Sequence, residues 1–241
     1  MENAADATDY WDRPILVTGL PRSGTSLIAG LLAESGAWVG KTVPGGPPNP
    51  RGFFEHIALR EGVVKSILRV LECDPLGVRR LPELDTLPPV DNLRETVHQL
   101  LRREGYDGRR PWLFKDAKLT LLWPQWAAAF PQARWVIVRR DIEAVIDSCL
   151  RTHFMAWHGL DRHRWRQWAE AYLERLRRLK ASVPWAREIH PHTLVAGDWS
   201  PFLGLAETLG LEPEPQRLHR FLLPERWHQS QRGNVNPVKK P

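Results

Sequence analysis

Apolar and polar positions follow two alternating regimes along this chain of 241 residues. Short solid apolar runs come first: Ile15-Leu16-Val17, Trp112-Leu113-Phe114 and Trp135-Val136-Ile137-Val138. A run without polar alternation is what a strand buried on both faces requires, and such strands belong to parallel sheets covered by helices. Ile189 to Val195 is a further strand candidate. Between these runs apolar residues recur at helical spacing. Leu27, Ile28, Leu31 and Leu32 share a face after the first strand, and Ile142, Val145, Ile146 and Cys149 take positions i, i+3, i+4 and i+7 after the strand 134–138. Residues 56–72, 91–104, 118–129 and 199–210 also read as helices. Residues 162–182 form a long amphipathic one: Trp165, Trp168, Ala169, Tyr172, Leu176 and Leu179 share a face, and Glu174 with Arg178 at i, i+4 marks the charged side. Strands alternating with helices predict an α/β fold: a central parallel sheet in a three-layer α/β/α arrangement like that of P-loop nucleoside triphosphatases. One domain is expected over 13–225, after a loose arm 1–12 and before a tail 226–241.

Composition narrows the partners. The formal charge is +6, and 27 of the 34 basic residues are arginine. Arginine grips phosphate or sulfate bidentately, so the excess suits an anionic ligand; it also fits a mere bias of genome composition. The arginines are spread through helices rather than blocked into a basic arm, which argues against nucleic acid. Cys73 and Cys149 sit among apolar neighbours and read as buried free thiols of a reducing compartment. The first residues offer no basic-then-apolar leader, and no stretch reaches ~18 consecutive apolar residues. A cytoplasmic protein without a membrane span is expected. The histidines and cysteines form no metal-ligand spacing, so no metal is expected.

The chemistry concentrates where the first strand ends. Gly19, four residues, then Gly24 reproduces P-loop spacing, but Thr25 stands where the P-loop lysine belongs. The cation comes earlier, at Arg22. Strand, glycine-bounded turn and helix N-terminus aim backbone N–H groups at one spot, which binds phosphate or sulfate, and the hydroxyls of Ser23, Thr25 and Ser26 add to it. Arg140 stands at the end of the strand 134–138, at the carboxyl edge where open α/β sheets bind ligands. Ser148 follows about two helical turns after Asp141, off the apolar stripe, so the two could hold one anion. Residues 41–52 carry four prolines and three glycines, a candidate lid or substrate loop.

PRSGTS after one strand, with RRDIEAVIDS after another far downstream, resembles the sulfotransferases that use 3′-phosphoadenosine 5′-phosphosulfate. Gly52-Phe53-Phe54-Glu55 and Phe114-Lys115-Asp116 resemble further segments of bacterial members, and Leu209-Gly210-Leu211 a helix end. Leu194 to Trp199 departs from the family's usual segment there, lacking its Tyr and Glu. The resemblance covers most of residues 13–225. It implies that Arg22, Ser23, Gly24, Thr25 and Ser26 hold the phosphosulfate and that Arg140 and Ser148 hold the 3′-phosphate. It also implies Arg22 and Lys115 as cations for the leaving oxygen; Lys115 alone reads also as a surface lysine. The cytosolic branch has a histidine two residues beyond that lysine, and here the position is Ala117. A base is then sought at Glu55, with His56 as a neighbour that could serve instead. Glu55 reads equally as a carboxylate placed at a helix N-terminus.

The expected reaction is transfer of a sulfuryl group from that donor, needing no metal, to a hydroxyl of a small-molecule, glycan or lipid acceptor. Loop 41–54 and the stretch 153–168, with His153 and His158, are expected to shape the acceptor pocket. Two rival readings are a P-loop kinase with a degenerate Walker A motif, Asp116 being its nearest Walker B aspartate, and a non-catalytic nucleotide-binding module.

Overall fold

A computed structural model describes residues 9–46 and 49–222. Four strands form one parallel sheet: β1 (Ile15–Gly19), β2 (Leu113–Lys115), β3 (Arg134–Val138) and β4 (Ala186–Ile189), in the order β2-β1-β3-β4. The helices are α1 (Thr25–Glu34), α2 (Ile57–Leu59), α3 (Lys65–Val70), α4 (Leu93–Arg103), α5 (Leu119–Ala129), α6 (Ile142–Arg151), α7 (His153–Ala156), α8 (Arg162–Ser182), α9 (Pro191–Val195), α10 (Ser200–Thr208) and α11 (Pro215–Phe221).

Strand alternation sorts the core into two layers. Leu16, Phe114, Trp135 and Ile137 point to the face covered by α2 through α8. Ile15, Val17, Leu113, Val136 and Val138 point to the face covered by α1, α9, α10 and α11. Every residue of β1 is buried, which explains its unbroken apolar run. The expected three-layer α/β/α arrangement is the observed one.

Three expectations change. The strand foreseen over Ile189 to Val195 lies earlier, at Ala186–Ile189. Pro191 lacks the N–H a ladder needs and suits a helix's first turn, so it opens α9 instead. β4 is an edge strand with Arg187 and Glu188 exposed, and therefore carries no apolar run. The single helix foreseen over 56–72 is α2 and α3 joined by a π turn, Arg60–Val64. The described part of the foreseen loose arm is seated: the Trp11 ring meets His98 and Tyr106 edge-on, and its carbonyl accepts from Trp112 Nε1 at 3.2 Å. Residues 1–8 of that arm and the foreseen tail 226–241 lie outside the described residues.

Candidate active site

Strand order brings three strand ends side by side: β2 with Lys115, β1 with the glycine turn, and β3 with Arg140. β1 ends at Gly19, where a Cβ would fall 2.5 Å from the Val138 carbonyl oxygen, so only glycine lets β1 and β3 close up here. The turn folds on itself through Ser23 N–H donating to the Leu20 carbonyl at 3.1 Å. Arg22 (φ 73°) and Gly24 (φ 98°) are both left-handed, and α1 starts at Thr25 with no side chain capping it. A non-glycine residue held left-handed costs of order 1–3 kcal/mol, a strain that concentrates at ligand sites. The uncapped first turn leaves N–H groups for an anion. Ser23 is fully buried, and its Oγ has no hydrogen-bond partner among the described residues.

The second segment closes on the first. Arg22 Nε donates to Ser148 Oγ at 3.1 Å, and Arg140 Nη1 donates to the Arg22 carbonyl at 2.9 Å. Turn and α6 are thus joined by the residues singled out in each. Burial lowers the pKa of both guanidiniums, and the charges of Arg22 and Arg151 lower that of Arg140 further. Two cations brought together in a half-buried place favour a ligand with compact negative charge. α6 is held in position by Asp141, which caps it through Ala144 N–H at 2.8 Å, and by Glu143 and Asp147, which pair with Arg162 of α8. Arg139, one residue from Arg140, turns away to Glu188 of β4.

On the other flank Lys115, almost fully buried, donates to Glu55 Oε1 at 2.8 Å, and Arg60 Nε lies 2.9 Å from Glu55 Oε2. Burial alone raises the Glu55 pKa; Lys115, Lys118 and Arg60 outweigh it and hold the carboxyl below its ordinary value. Lys118 pairs in turn with the buried Asp116 at 2.8 Å.

The sulfotransferase family model matches residues 14–196, about three quarters of the chain. The chain belongs to the sulfotransferase family. Among solved structures, sulfotransferase STF1 from Mycobacterium tuberculosis H37Rv is 18% identical, with 87% of this chain and 70% of that one covered and a TM-score of 0.47. Sulfotransferase STF9 from Mycobacterium avium is 15% identical, with coverages of 92% and 69% and a TM-score of 0.48. No curated protein matches the chain.

For this sulfotransferase-family chain, the residues singled out from sequence fall into two groups along one sheet edge. Arg22, Ser23, Gly24, Thr25, Ser26, Arg140 and Ser148 form one, and Glu55 with Lys115 the other. His56 stands apart. It is buried, its Nδ1 accepts from Leu59 N–H at 3.4 Å to cap α2, and its Nε2 lies 3.3 Å from Glu104. Nδ1 is thus spent on the cap, while Nε2 faces Glu104 without a hydrogen bond. Asp116 is fully buried, and its Oδ1 accepts from Lys118 N–H at 2.8 Å besides the ion pair, while its Oδ2 has no hydrogen-bond partner among the described residues. The described part of the proline-rich loop is pinned to α11: Arg51 Nη2 donates to the Arg220 carbonyl at 2.7 Å, and the Phe54 and Phe221 rings meet at 5.8 Å. Among the described residues no group of three His, Cys, Asp or Glu side chains is placed to hold a metal, and no helix is long and apolar enough to cross a membrane.

Sequence reasoning missed two residues. Arg60 sits four residues after the His56 cap of α2, at the start of the π turn, and Glu55 just before that cap, the spacing of a hydrophobic staple filled here by opposite charges. That spacing was the available signal. Phe154 of α7 is 43% exposed and its ring centroid lies 5.9 Å from the Arg22 guanidinium. Nothing local in the sequence announces this contact, because it joins residues of separate elements.

Proposed function

We propose that this protein transfers a sulfuryl group from 3′-phosphoadenosine 5′-phosphosulfate to a hydroxyl of a small-molecule, glycan or lipid acceptor. One observation carries the reading: Arg22 and Arg140, from the two segments that the family uses for its donor, are linked through Ser148 and the Arg22 carbonyl at an uncapped helix N-terminus. In this reading the turn from Ser23 to Ser26 cradles the phosphosulfate with N–H and hydroxyl groups. The idle Ser23 Oγ supplies one of those contacts. Arg22 adds charge, and Arg140 with Ser148 takes the 3′-phosphate.

The transfer is an in-line displacement. The acceptor oxygen bonds to sulfur as the bond from sulfur to the bridging oxygen breaks, and adenosine 3′,5′-bisphosphate leaves with that electron pair. Arg22 and Lys115 stabilise the charge growing on the bridging oxygen. The acceptor proton passes to Glu55. Lys115 couples these two events. While it is bound to Glu55 it is the largest of the charges depressing that carboxyl. As Lys115 turns toward the leaving oxygen, Glu55 regains basicity when a proton must be taken.

Calorimetric titration with adenosine 3′,5′-bisphosphate in EDTA, beside ATP with Mg2+, tests the donor assignment. Tight bisphosphate binding is expected, weakened by about 1.5–3 kcal/mol in Arg140→Ala, the range for hydrogen bonds to charged groups. Absent bisphosphate binding with clear Mg2+-dependent ATP binding would overturn it in favour of a kinase. A protein that binds the donor but turns over no acceptor would be a binding module.

A further inference from the structure

A cavity of about 550 Å3 lies between the loop 74–81 and the N-terminal half of α8. That volume is in the range of small-molecule sites. Leu160 and the edges of the largely buried Val78 and Trp168 give it apolar walls, while His158 and the exposed Arg79 and Arg164 bring polar and cationic groups. None of these belongs to the donor-side group around Arg22 and Arg140.

The two arginines here stand outside the ion pairs that tie up their neighbours. Other arginines of α8 are committed: Arg162 and Arg166 to Glu143, Arg177 to Glu174, and Arg178 to Asp85. Arg175 donates to the carbonyls of Ala171 and Pro82. Arg79 and Arg164 have no carboxylate partner among the described residues. The loop's own acid, Asp74, is spent on the backbone, accepting from Leu76 N–H at 2.8 Å and from Val78 and Arg79 N–H at 2.9 Å each.

The wall is also built in advance. Gly77 is left-handed (φ 72°), and a Cβ there would fall 2.6 Å from the Tyr172 hydroxyl. Its carbonyl accepts from Trp168 Nε1 and from Tyr172 Oη, each at 2.9 Å. These bonds lock the loop onto α8, and Val78 and Arg79 follow directly. Side chains carried on a locked backbone lose less entropy when they bind.

We propose that this cavity binds the anionic end of an organic molecule, a carboxylate or sulfate on an apolar or ring-shaped body, with Arg79 and Arg164 holding the anion and Trp168 and Leu160 covering the body. The acceptor of the reaction and a separate effector share this chemistry. Two short stretches of chain lead from the cavity toward the candidate active site. His158 and Leu160 follow α7, which carries Phe154 beside Arg22, and Gly77 abuts Lys118, three residues beyond Lys115.

The test is calorimetric titration of the full chain with 2-naphthoate and with neutral 2-naphthamide, each with and without saturating adenosine 3′,5′-bisphosphate. Naphthoate should bind roughly tenfold or more tightly than the amide, the value of one charge-assisted contact. The preference should vanish in Arg79→Gln and Arg164→Gln and persist in Arg109→Gln, a change at an exposed arginine outside the cavity. Equal binding of acid and amide, a preference indifferent to both substitutions, or displacement by the bisphosphate would each overturn the proposal. The bisphosphate is scored in the same preparation, so failure of the donor reading leaves this result standing by itself. Offering 6-hydroxy-2-naphthoate together with the sulfuryl donor then separates the sources. Sulfation that falls in both variants assigns the cavity to the acceptor; binding without sulfation assigns it to an effector.

Discussion

Ser23 buries a hydroxyl that no neighbour among the described residues satisfies. Such a group costs about 1–3 kcal/mol, which a ligand's phosphate or sulfate would recover. Ser23→Ala should therefore leave the ligand-free protein as stable in urea unfolding, or more so, while weakening bisphosphate binding. A clear loss of stability would show that the hydroxyl already serves the fold. Glu55 carries a second prediction. Its folded pKa is depressed, so its contribution to stability is complete above the ordinary carboxylate value of about 4.3 and is lost as pH falls through the depressed one. Glu55→Gln should flatten that acid-side fall in a series of unfolding measurements. With an acceptor in hand, the same change should cut turnover by roughly 10²–10⁴, the usual worth of a general base, as read by bisphosphate release. An unchanged rate would leave Glu55 as an anchor for Lys115 alone. The segments that hold Arg22, Arg140, Ser148 and Lys115 were legible because each begins where a strand ends. The Glu55–Arg60 pair and the embedding of His56 were not, because they depend on how α2 is capped and packed.

At the scale of elements, periodicity located most of the strands and helices, and departures from periodicity account for the rest. β4 has no apolar run because it is an exposed edge. The π turn Arg60–Val64 interrupts a helix whose apolar spacing reads as continuous, and its first residue, Arg60, engages Glu55. Inserted turns of this kind occur often at functional sites. Gly30 shows how closely the layers meet. It lies within α1, and a Cβ there would fall 2.2 Å from the Phe221 ring and 2.9 Å from that of Phe54. Gly30→Ala should destabilise the protein by about 1–3 kcal/mol by overpacking, despite alanine's better helix propensity. Chemical denaturation checks this; a gain in stability would mean that α11 yields easily. The same contact ties the proline-rich loop, through Phe54, to the C-terminal helix α11.

Over the whole molecule, parallel strands in the order β2-β1-β3 put a lysine, a glycine turn and an arginine on one edge. The net charge of +6 favours approach of anionic ligands to the molecule in general. Bisphosphate at about 100 times its dissociation constant should stabilise the fold by about 2.7 kcal/mol. That gain, read as a rise in Tm, should shrink at high salt as the exposed part of the attraction is screened. No rise in Tm at any salt would contradict the donor site. Sequence alone determined the class of the fold, the glycine-bounded turn after β1 and the placing of Arg140 and Ser148 along one strand-to-helix segment, because each is written in residues close enough along the chain for local geometry to relate them. Only tertiary structure decided that Arg22 reaches Ser148, that Lys115 and Arg60 share Glu55, and that Arg79 faces a cavity with Arg164. Those contacts join residues that are distant in sequence or set by an irregular turn, and strand order, capping and packing bring them together.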